Sequence, residues 1–324
     1  MTGTQEQNGT EAVPRKRGRL AILTGPTSVG KTEVSIEVAL RLGTEILSAD
    51  SMAVYRRMEA ATAKPSPAER ARVPHHLIDL VDPTEPFTVA SYRAAAVPII
   101  ERLLSEGRPP LLVGGTRLYL AALTEPFDSG PEPSETIRKR LAELPDAELH
   151  AALTQVDPIT AARLHSADRK RVTRALEVWE LTGQPLAEVQ AASRATGGLY
   201  DATWVALIRD REELYARVNA RVDGMLAAGL VEEVQGFLAE GLTADTPAMQ
   251  GHGYKEILRA LTGEYPLEEG VRLLKRNTRR YVKYQLGWLR GMPQVHYVRA
   301  DQPVPEVVEE VVRLLTEEDV RPES

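Results

Sequence analysis

The 324 residues contain no cysteine. That absence excludes disulfides, thiolate metal sites, zinc fingers and a catalytic thiol, and by itself leaves the redox compartment open. Long apolar runs are missing as well. No window approaches a membrane span, and the N-terminal stretch MTGTQEQNGTEAVPRKRGR lacks the apolar core of a secretion signal. The expectation is a cytoplasmic protein with a disordered tail over residues 1–19, in which the basic PRKRGR cluster is a solvated charge run. Aromatics are scarce at 5%, but 43% of the residues are hydrophobic, enough for one large core or two domains. Net positive charge is also lacking: the formal balance is -6, so a nucleic-acid partner has to be met by a local basic patch.

What is present alternates. RLAILT at 19–24 fits a buried parallel strand, and the stretch from Lys31 to Leu42 repeats apolar residues at helical spacing. Residues 45–48 and PPLLVGG at 109–115 read as further strands, with a helix over 89–104 before the latter. Strands alternating with helices predict an α/β core with a mostly parallel sheet. From residue 125 the texture turns rich in Pro, Gly and acid and then purely helical, so residues 125–200 are expected to form a small helical insertion. ATWVALIR at 202–209 returns to strand character, followed by helices near 211–228, 229–240 and 268–290.

GPTSVGKT at 25–32 satisfies G-x-x-x-x-G-K-[ST] between a strand and a helix. Its glycines let backbone N–H groups close around phosphate oxygens at a helix N-terminus, Lys31 adds a positive charge, and Thr32 can hold Mg2+. The pattern specifies a diphosphate or larger, not ATP as such. An ATPase adds an apolar strand ending in Asp, yet LLVGG ends in Gly114-Gly115-Thr116. Asp79 and Asp82 follow apolar residues in HLIDLVDP, but Pro74 and Pro83 bracket that segment as a loop or edge strand. Asp50, at the end of the second strand, falls where open parallel sheets bind ligands, and there a carboxylate can hold a metal, orient a ribose or accept a proton.

One segment reverses the overall charge. VRLLKRNTRRYVKYQLGWLR at 271–290 holds seven Lys or Arg and no acid. At helical spacing Arg272, Lys275, Arg276, Arg279, Arg280, Lys283 and Arg290 share a face, while Leu274, Tyr281, Tyr284 and Trp288 lie on the other. A basic stripe of this kind suits RNA phosphates. DRKRVTRALE in the insertion carries a second cluster, Arg169, Lys170, Arg171 and Arg174. His75-His76 lacks a third ligand and is expected to be a hydrogen-bonding pair, and Trp179, Trp204 and Trp288 are expected in the core.

Eight blocks in order, GPTSVGKT, SADSMAVYRRM, TAKPSPAERARVPHHLIDLVDP, LLVGGTRLYL, RVTRALEVWELTG, RVDGMLAAGLVEEV, GYKEIL and TRRYVKYQLGWLR, resemble the bacterial tRNA dimethylallyltransferases from about residue 20 to 290. The resemblance implies a P-loop NTPase-like core over 20–124 and 201–324, with the 125–200 insertion gripping tRNA. It implies transfer of a dimethylallyl group from dimethylallyl diphosphate to N6 of the adenosine 3′ of the anticodon, position 37, with release of pyrophosphate and with Mg2+ as cofactor, by a monomer. Carried over residue by residue, Asp50 is the general base, and Thr27, Lys31 and Arg221 act on the diphosphate. Gly25, Pro26, Thr27, Ser28, Val29, Gly30, Lys31 and Thr32 cradle it. The tRNA contacts would come from Asp50, Ser51, Met52, Ala53, Thr116, Arg138, Lys170, Arg171, Arg174, Gln250, Gly253, Tyr254, Lys255, Arg279, Arg280 and Lys283, with the helix end running to Gly287. Tyr254 could line the RNA surface or simply pack. Arg117, His252 and Tyr284 depart from the family pattern and bear on individual RNA contacts, not on the reaction. Three rivals remain open at this point: a P-loop nucleoside or metabolite kinase, an adenylate (AMP/ADP) isopentenyltransferase that could dispense with the basic surfaces, and a non-enzymatic RNA-binding protein.

Overall fold

The structure, a computed structural model, describes residues 17–128 and 130–317. The expected tail therefore lies, over residues 1–16, outside the described residues. In chain order β1 (Arg19–Thr24), α1 (Lys31–Leu42), β2 (Ile46–Ser48), α2 (Pro67–Arg72), β3 (His75–His76), α3 (Val89–Ser105), β4 (Leu111–Val113) and α4 (Arg117–Thr124) build the first half of an α/β unit. The helices α5 (Glu135–Ala142), α6 (Asp146–Val156), α7 (Pro158–Arg163), α8 (Arg169–Thr182) and α9 (Leu186–Thr196) follow. The chain then returns through β5 (Asp201–Ile208), α10 (Arg211–Ala227), α11 (Leu230–Ala239), α12 (Tyr254–Leu261), α13 (Leu267–Arg290), β6 (Val295–Arg299) and α14 (Val304–Thr316).

The sheet runs β3-β2-β4-β1-β5-β6 and every pairing in it is parallel. β1 is buried from Leu20 onward because helices cover both faces of a parallel sheet. One core cluster joins Val34 and Val38 of α1, Leu23 of β1, Val205 and Leu207 of β5, Val298 of β6, and Val307 and Val311 of α14. Each such aliphatic side chain contributes about 1.5–3 kcal/mol on burial. The sequence reading did not include β6, α12 or α14. The spacing of Val304, Val307, Val308, Val311 and Leu314 carries the helical signal for α14, whereas VHYVR is too short and too charged to declare a strand by itself.

A second compact unit spans Ala121–Leu199, beginning within α4 where the sequence suggested residue 125. Its small core gathers Leu141, Leu149, Leu153, Val172 and Leu176. Asp157, 1% exposed, accepts from Thr160 N at 2.9 Å and from Ala187 N at 3.0 Å, so one buried carboxylate caps α7 and anchors the start of α9.

β4 lies between β1 and β2, and this order sets the site. Ala49 N donates to Val113 O at 2.8 Å and Thr116 N donates to Ala49 O at 3.1 Å, drawing the ends of β2 and β4 together. Gly114 permits that approach, since a Cβ there would lie 2.2 Å from Ala49 O. Gly114→Ala is expected to lower stability by about 1–3 kcal/mol through overpacking, read as a lower urea midpoint at unchanged m-value.

Candidate active site

The chain leaves β1 into the loop Gly25–Thr32. Gly25 (φ 139°), Ser28 (φ 65°) and Gly30 (φ 108°) take positive φ, which turns the loop back on itself before α1. Gly25 is confined further, because a Cβ would lie 2.6 Å from Leu207 O. Gly30 caps α1 without a side-chain hydrogen bond, so the first N–H groups of the helix remain available to an anion. Ser28 Oγ is buried with no hydrogen-bond partner.

Lys31 Nζ lies back across the loop, donating to Gly25 O and Pro26 O, each at 2.9 Å. Its pKa is lowered to about 8, chiefly by burial, which the Asp50 carboxylate opposes and the Arg221 charge reinforces. Arg221, on α10, donates through Nη1 to Thr27 Oγ1 at 3.3 Å. Its pKa too is lowered by burial and held up by Asp50. Two cations and one carboxylate thus influence one another at this end of the sheet, with positive charge in excess.

Asp50 follows the end of β2. Its Oδ1 accepts from Met52 N at 2.8 Å, a turn contact that fixes the carboxylate relative to its own backbone. The adjacent Ser51 N donates to Thr116 Oγ1 at 3.0 Å, tying the turn to the end of β4. The Tyr281 hydroxyl of α13 is pushed up in pKa by burial and then by Asp50, and that of Tyr119 by burial, Tyr55 and Asp50. Both hydroxyls therefore feel the charge of the carboxylate. The sequence motifs converge: Gly25 to Thr32, Asp50, Thr116 and Arg221 occupy the C-terminal edge of one sheet.

Sequence reasoning missed three further side chains on the loop. Arg209 donates to Val29 O at 2.9 Å and Arg217 to Ser28 O at 2.8 Å. Gln285 of α13 accepts from Thr27 N at 2.9 Å and donates to Gly115 O at 3.2 Å. Arg217 and Arg221 sit one helical turn apart, so their i, i+4 spacing was the available signal. Nothing local marks Gln285.

The residues expected to meet RNA divide into three sets. Lys170, Arg171, Gln250, Arg280 and Lys283 are exposed. Arg171 lies 3.2 Å from Asp168, Gln250 donates to Ala244 O, and Arg279 is half-buried and donates to Asn219 at 2.6 Å. Ser51, Met52, Thr116 and Lys255 are half-buried, the last 3.6 Å from Glu256. Ala53, Gly253 and Tyr254 are buried. The Tyr254 hydroxyl donates to Glu233 at 2.6 Å, so this ring packs and offers no stacking face. A Cβ on Gly253 would lie 2.7 Å from that of Ala61, and the side chains of Ala53 and Tyr254 are likewise enclosed by the protein.

Arg138 and Arg174 are held within the helical unit. Fully buried Glu177 accepts from Arg138 Nε at 2.8 Å and from Arg174 Nη1 at 2.6 Å. These contacts neutralise a carboxylate that burial would otherwise make costly. On α13 the buried side is Leu274, Thr278, Val282, Gln285 and Leu289. Tyr284, expected on the apolar face, is instead 56% exposed, because it sits at the flank between that face and the basic stripe. Its ring is nearly parallel to that of Tyr281, 17° apart with centroids separated by 6.2 Å.

The other candidates settle as structural groups. Asp79 pairs with Lys64 at 2.6 Å and Arg70 at 2.8 Å, and Asp82 with Arg57 at 3.0 Å. Both follow β3 at the sheet edge, whereas the neighbour of β1 on that side is β4, which ends in glycine. His76 Nε2 is 2.6 Å from Glu45, and His75 Nδ1 is 2.7 Å from Val73 O. Trp204 and Trp288 pack edge to face at 6.3 Å, whereas Trp179, expected in the core, is 37% exposed near the end of α8. Among the described residues no cluster of three or more His, Asp or Glu could hold a metal, and no helix is long and apolar enough to cross a membrane.

The chain matches the family "IPP transferase" over residues 53–292 and "Isopentenyl transferase" over residues 18–78. It is 46% identical to the tRNA dimethylallyltransferase of Syntrophobacter fumaroxidans, over 87% of this chain and 83% of that one. The counterpart from Geobacter sulfurreducens is also 46% identical, over 86% and 91%. Among solved structures, the tRNA isopentenylpyrophosphate transferase of Bacillus halodurans aligns with a TM-score of 0.68 at 39% identity, covering 92% of this chain and 95% of that one. A eukaryotic dimethylallyltransferase, captured in crystallographic snapshots acting on tRNA, aligns with a TM-score of 0.74 at 28% identity, covering 87% and 74%. Matched by the family over residues 53–292 and by these relatives along most of its length, the chain belongs to the IPP transferase family, among the enzymes that transfer a dimethylallyl group to tRNA.

Proposed function

We propose that the donor is dimethylallyl diphosphate, that the acceptor atom is N6 of adenosine 37 next to the anticodon, and that Asp50 is the base. The observation that carries this reading is the Asp50 turn tied to the end of β4 through Thr116, at the same end of the sheet as the phosphate loop on which Lys31 and Arg221 converge. The exocyclic amine of adenine is a weak nucleophile, its lone pair being delocalised into the ring. As N6 attacks the first carbon of the dimethylallyl group, the carbon–oxygen bond to the diphosphate breaks and the N6 proton passes to Asp50. Lys31, Arg221, Thr27 and the N–H groups at the start of α1 stabilise the charge that develops on the leaving pyrophosphate, each contact contributing about 3 kcal/mol.

Mg2+ fits as a companion of the diphosphate. The oxygen donors available at the loop are hard, Thr32 stands in the first turn of α1, and the orphan Ser28 hydroxyl could meet a diphosphate oxygen or an ion-bound water. Thr32 would hold the ion, and the ion would supply further neutralisation of the leaving group. With too few protein carboxylates to cage it, most of its coordination would come from the substrate and water.

The exposed Arg280 and Lys283 of α13 supply the RNA-facing charge of the α/β unit, and Lys170 and Arg171 a second basic surface on the helical unit. Position 37 lies in a loop, where extruding a base costs a few kcal/mol, and backbone contacts of this kind offset that cost. Acting alone as one copy is sufficient for this chemistry.

Asp50→Asn keeps the turn contact and removes the base, so prenyl transfer should fall by about a hundred- to ten-thousand-fold with tRNA binding preserved in filter-binding assays; equal loss of both would remove Asp50 from the chemistry. Diphosphate favours the ammonium form of Lys31, so affinity is full below pH about 8 and declines as pH rises through that value. A pH profile of kcat/KM for the donor should show this basic limb, and Lys31→Met should abolish it together with most activity. Neutralising Arg280 and Lys283 together should flatten the salt dependence of tRNA binding, by about 0.7 in the log–log slope for each phosphate that the protein no longer neutralises. An unchanged slope would take α13 off the RNA surface.

A further inference from the structure

We propose that Gln285 is a positioning residue that sets the diphosphate loop from the buried face of α13, and that Gly115 is glycine because the Gln285 amide occupies the space its side chain would need. The inference rests on the reading of Gly25–Thr32 as the diphosphate site and adds to it a residue from a distant part of the chain. Gln285 is 2% exposed, and both ends of its amide bond to backbone. Oε1 accepts from Thr27 N at 2.9 Å, within the phosphate loop after β1, while Nε2 donates to Gly115 O at 3.2 Å, in the turn after β4. The two loops it joins carry the two halves of the chemistry. Thr27 belongs to the diphosphate cradle, and the turn after β4 leads directly into Thr116, whose hydroxyl holds the backbone next to Asp50.

The fit is tight from the other side as well. A Cβ on Gly115 would lie 2.3 Å from Gln285 Nε2 and 3.3 Å from Gly25 O. Thr27 is thus fixed twice, its N–H by Gln285 of α13 and its hydroxyl by Arg221 of α10. No other residue type of similar length supplies both an acceptor and a donor: glutamate accepts only and would set a charge against Gly115 O, and methionine does neither. Gln285 lies two positions beyond Lys283, about 200° further round the helix, so the same turn of α13 presents cations outward and the latch inward.

The test uses inorganic pyrophosphate with Mg2+ as probe, measured by calorimetry on the full chain, so that no acceptor is involved. Gln285→Met should weaken pyrophosphate binding about tenfold, with tRNA affinity and thermal midpoint nearly unchanged. Gly115→Ala, which attacks the same contact from the opposite side, should weaken it similarly. It should have no added effect in a Gln285→Ala background, where the clash is gone. Wild-type pyrophosphate affinity in both Gln285→Met and Gly115→Ala would overturn the proposal, as would independent, multiplying effects of Gly115→Ala and Gln285→Ala, or an equal loss of tRNA and pyrophosphate affinity. Failure of the unmutated enzyme to bind pyrophosphate would remove the diphosphate reading together with the latch. Normal binding there, with unaltered variants, would remove the latch alone.

Discussion

The approach of the β2 and β4 ends at Ala49 and Gly114 is the contact on which the site depends. It places the Asp50 turn beside Thr116, and because β4 is also the neighbour of β1, it brings the carboxylate to the same edge as the phosphate loop. A side chain at 114 would separate Asp50 from Thr116 before it touched any substrate.

Electrostatics then define what the site receives. Two cations enclosed beside a single carboxylate leave an excess of positive charge that burial makes costly, visible in the lowered pKa of Lys31. On the proposed reading a diphosphate relieves that cost, and its departure as pyrophosphate is the step such a site favours. The absence of a strand acid next to β1, and the commitment of Asp79 and Asp82 to arginine and lysine partners, remove the groups an ATPase would use to hold a catalytic ion. In the proposed reaction the loop keeps its grip on phosphate while the chemistry moves to a carbon–oxygen bond.

The parts legible in the sequence were those fixed by local backbone demands. β1 and α1 have the limits read from periodicity, and the glycines of GPTSVGKT stand where positive φ is required. Asp50 was legible because a strand end beside a phosphate loop is a functional address in any parallel sheet. Tyr284 was misplaced because it lies at a flank, where helical periodicity does not decide between core and solvent. The buried side chains of Tyr254 and Ala53 show a different limit. Resemblance attaches a residue to a surface, whereas only the packed structure reveals that a hydroxyl is bound to Glu233. Gln285 and Arg209 meet the phosphate loop through long-range contacts that no spacing encodes.

The most direct test of the account is incorporation of labelled prenyl group from dimethylallyl diphosphate, with Mg2+, into unmodified tRNA, run beside AMP as acceptor and ATP as an alternative phosphate substrate, followed by nuclease digestion to locate the label. The account predicts label on N6 of adenosine 37 only, with one pyrophosphate released per prenyl group and ATP untouched. Label transferred to AMP as readily as to tRNA, or ATP consumed in place of prenyl transfer, would contradict it.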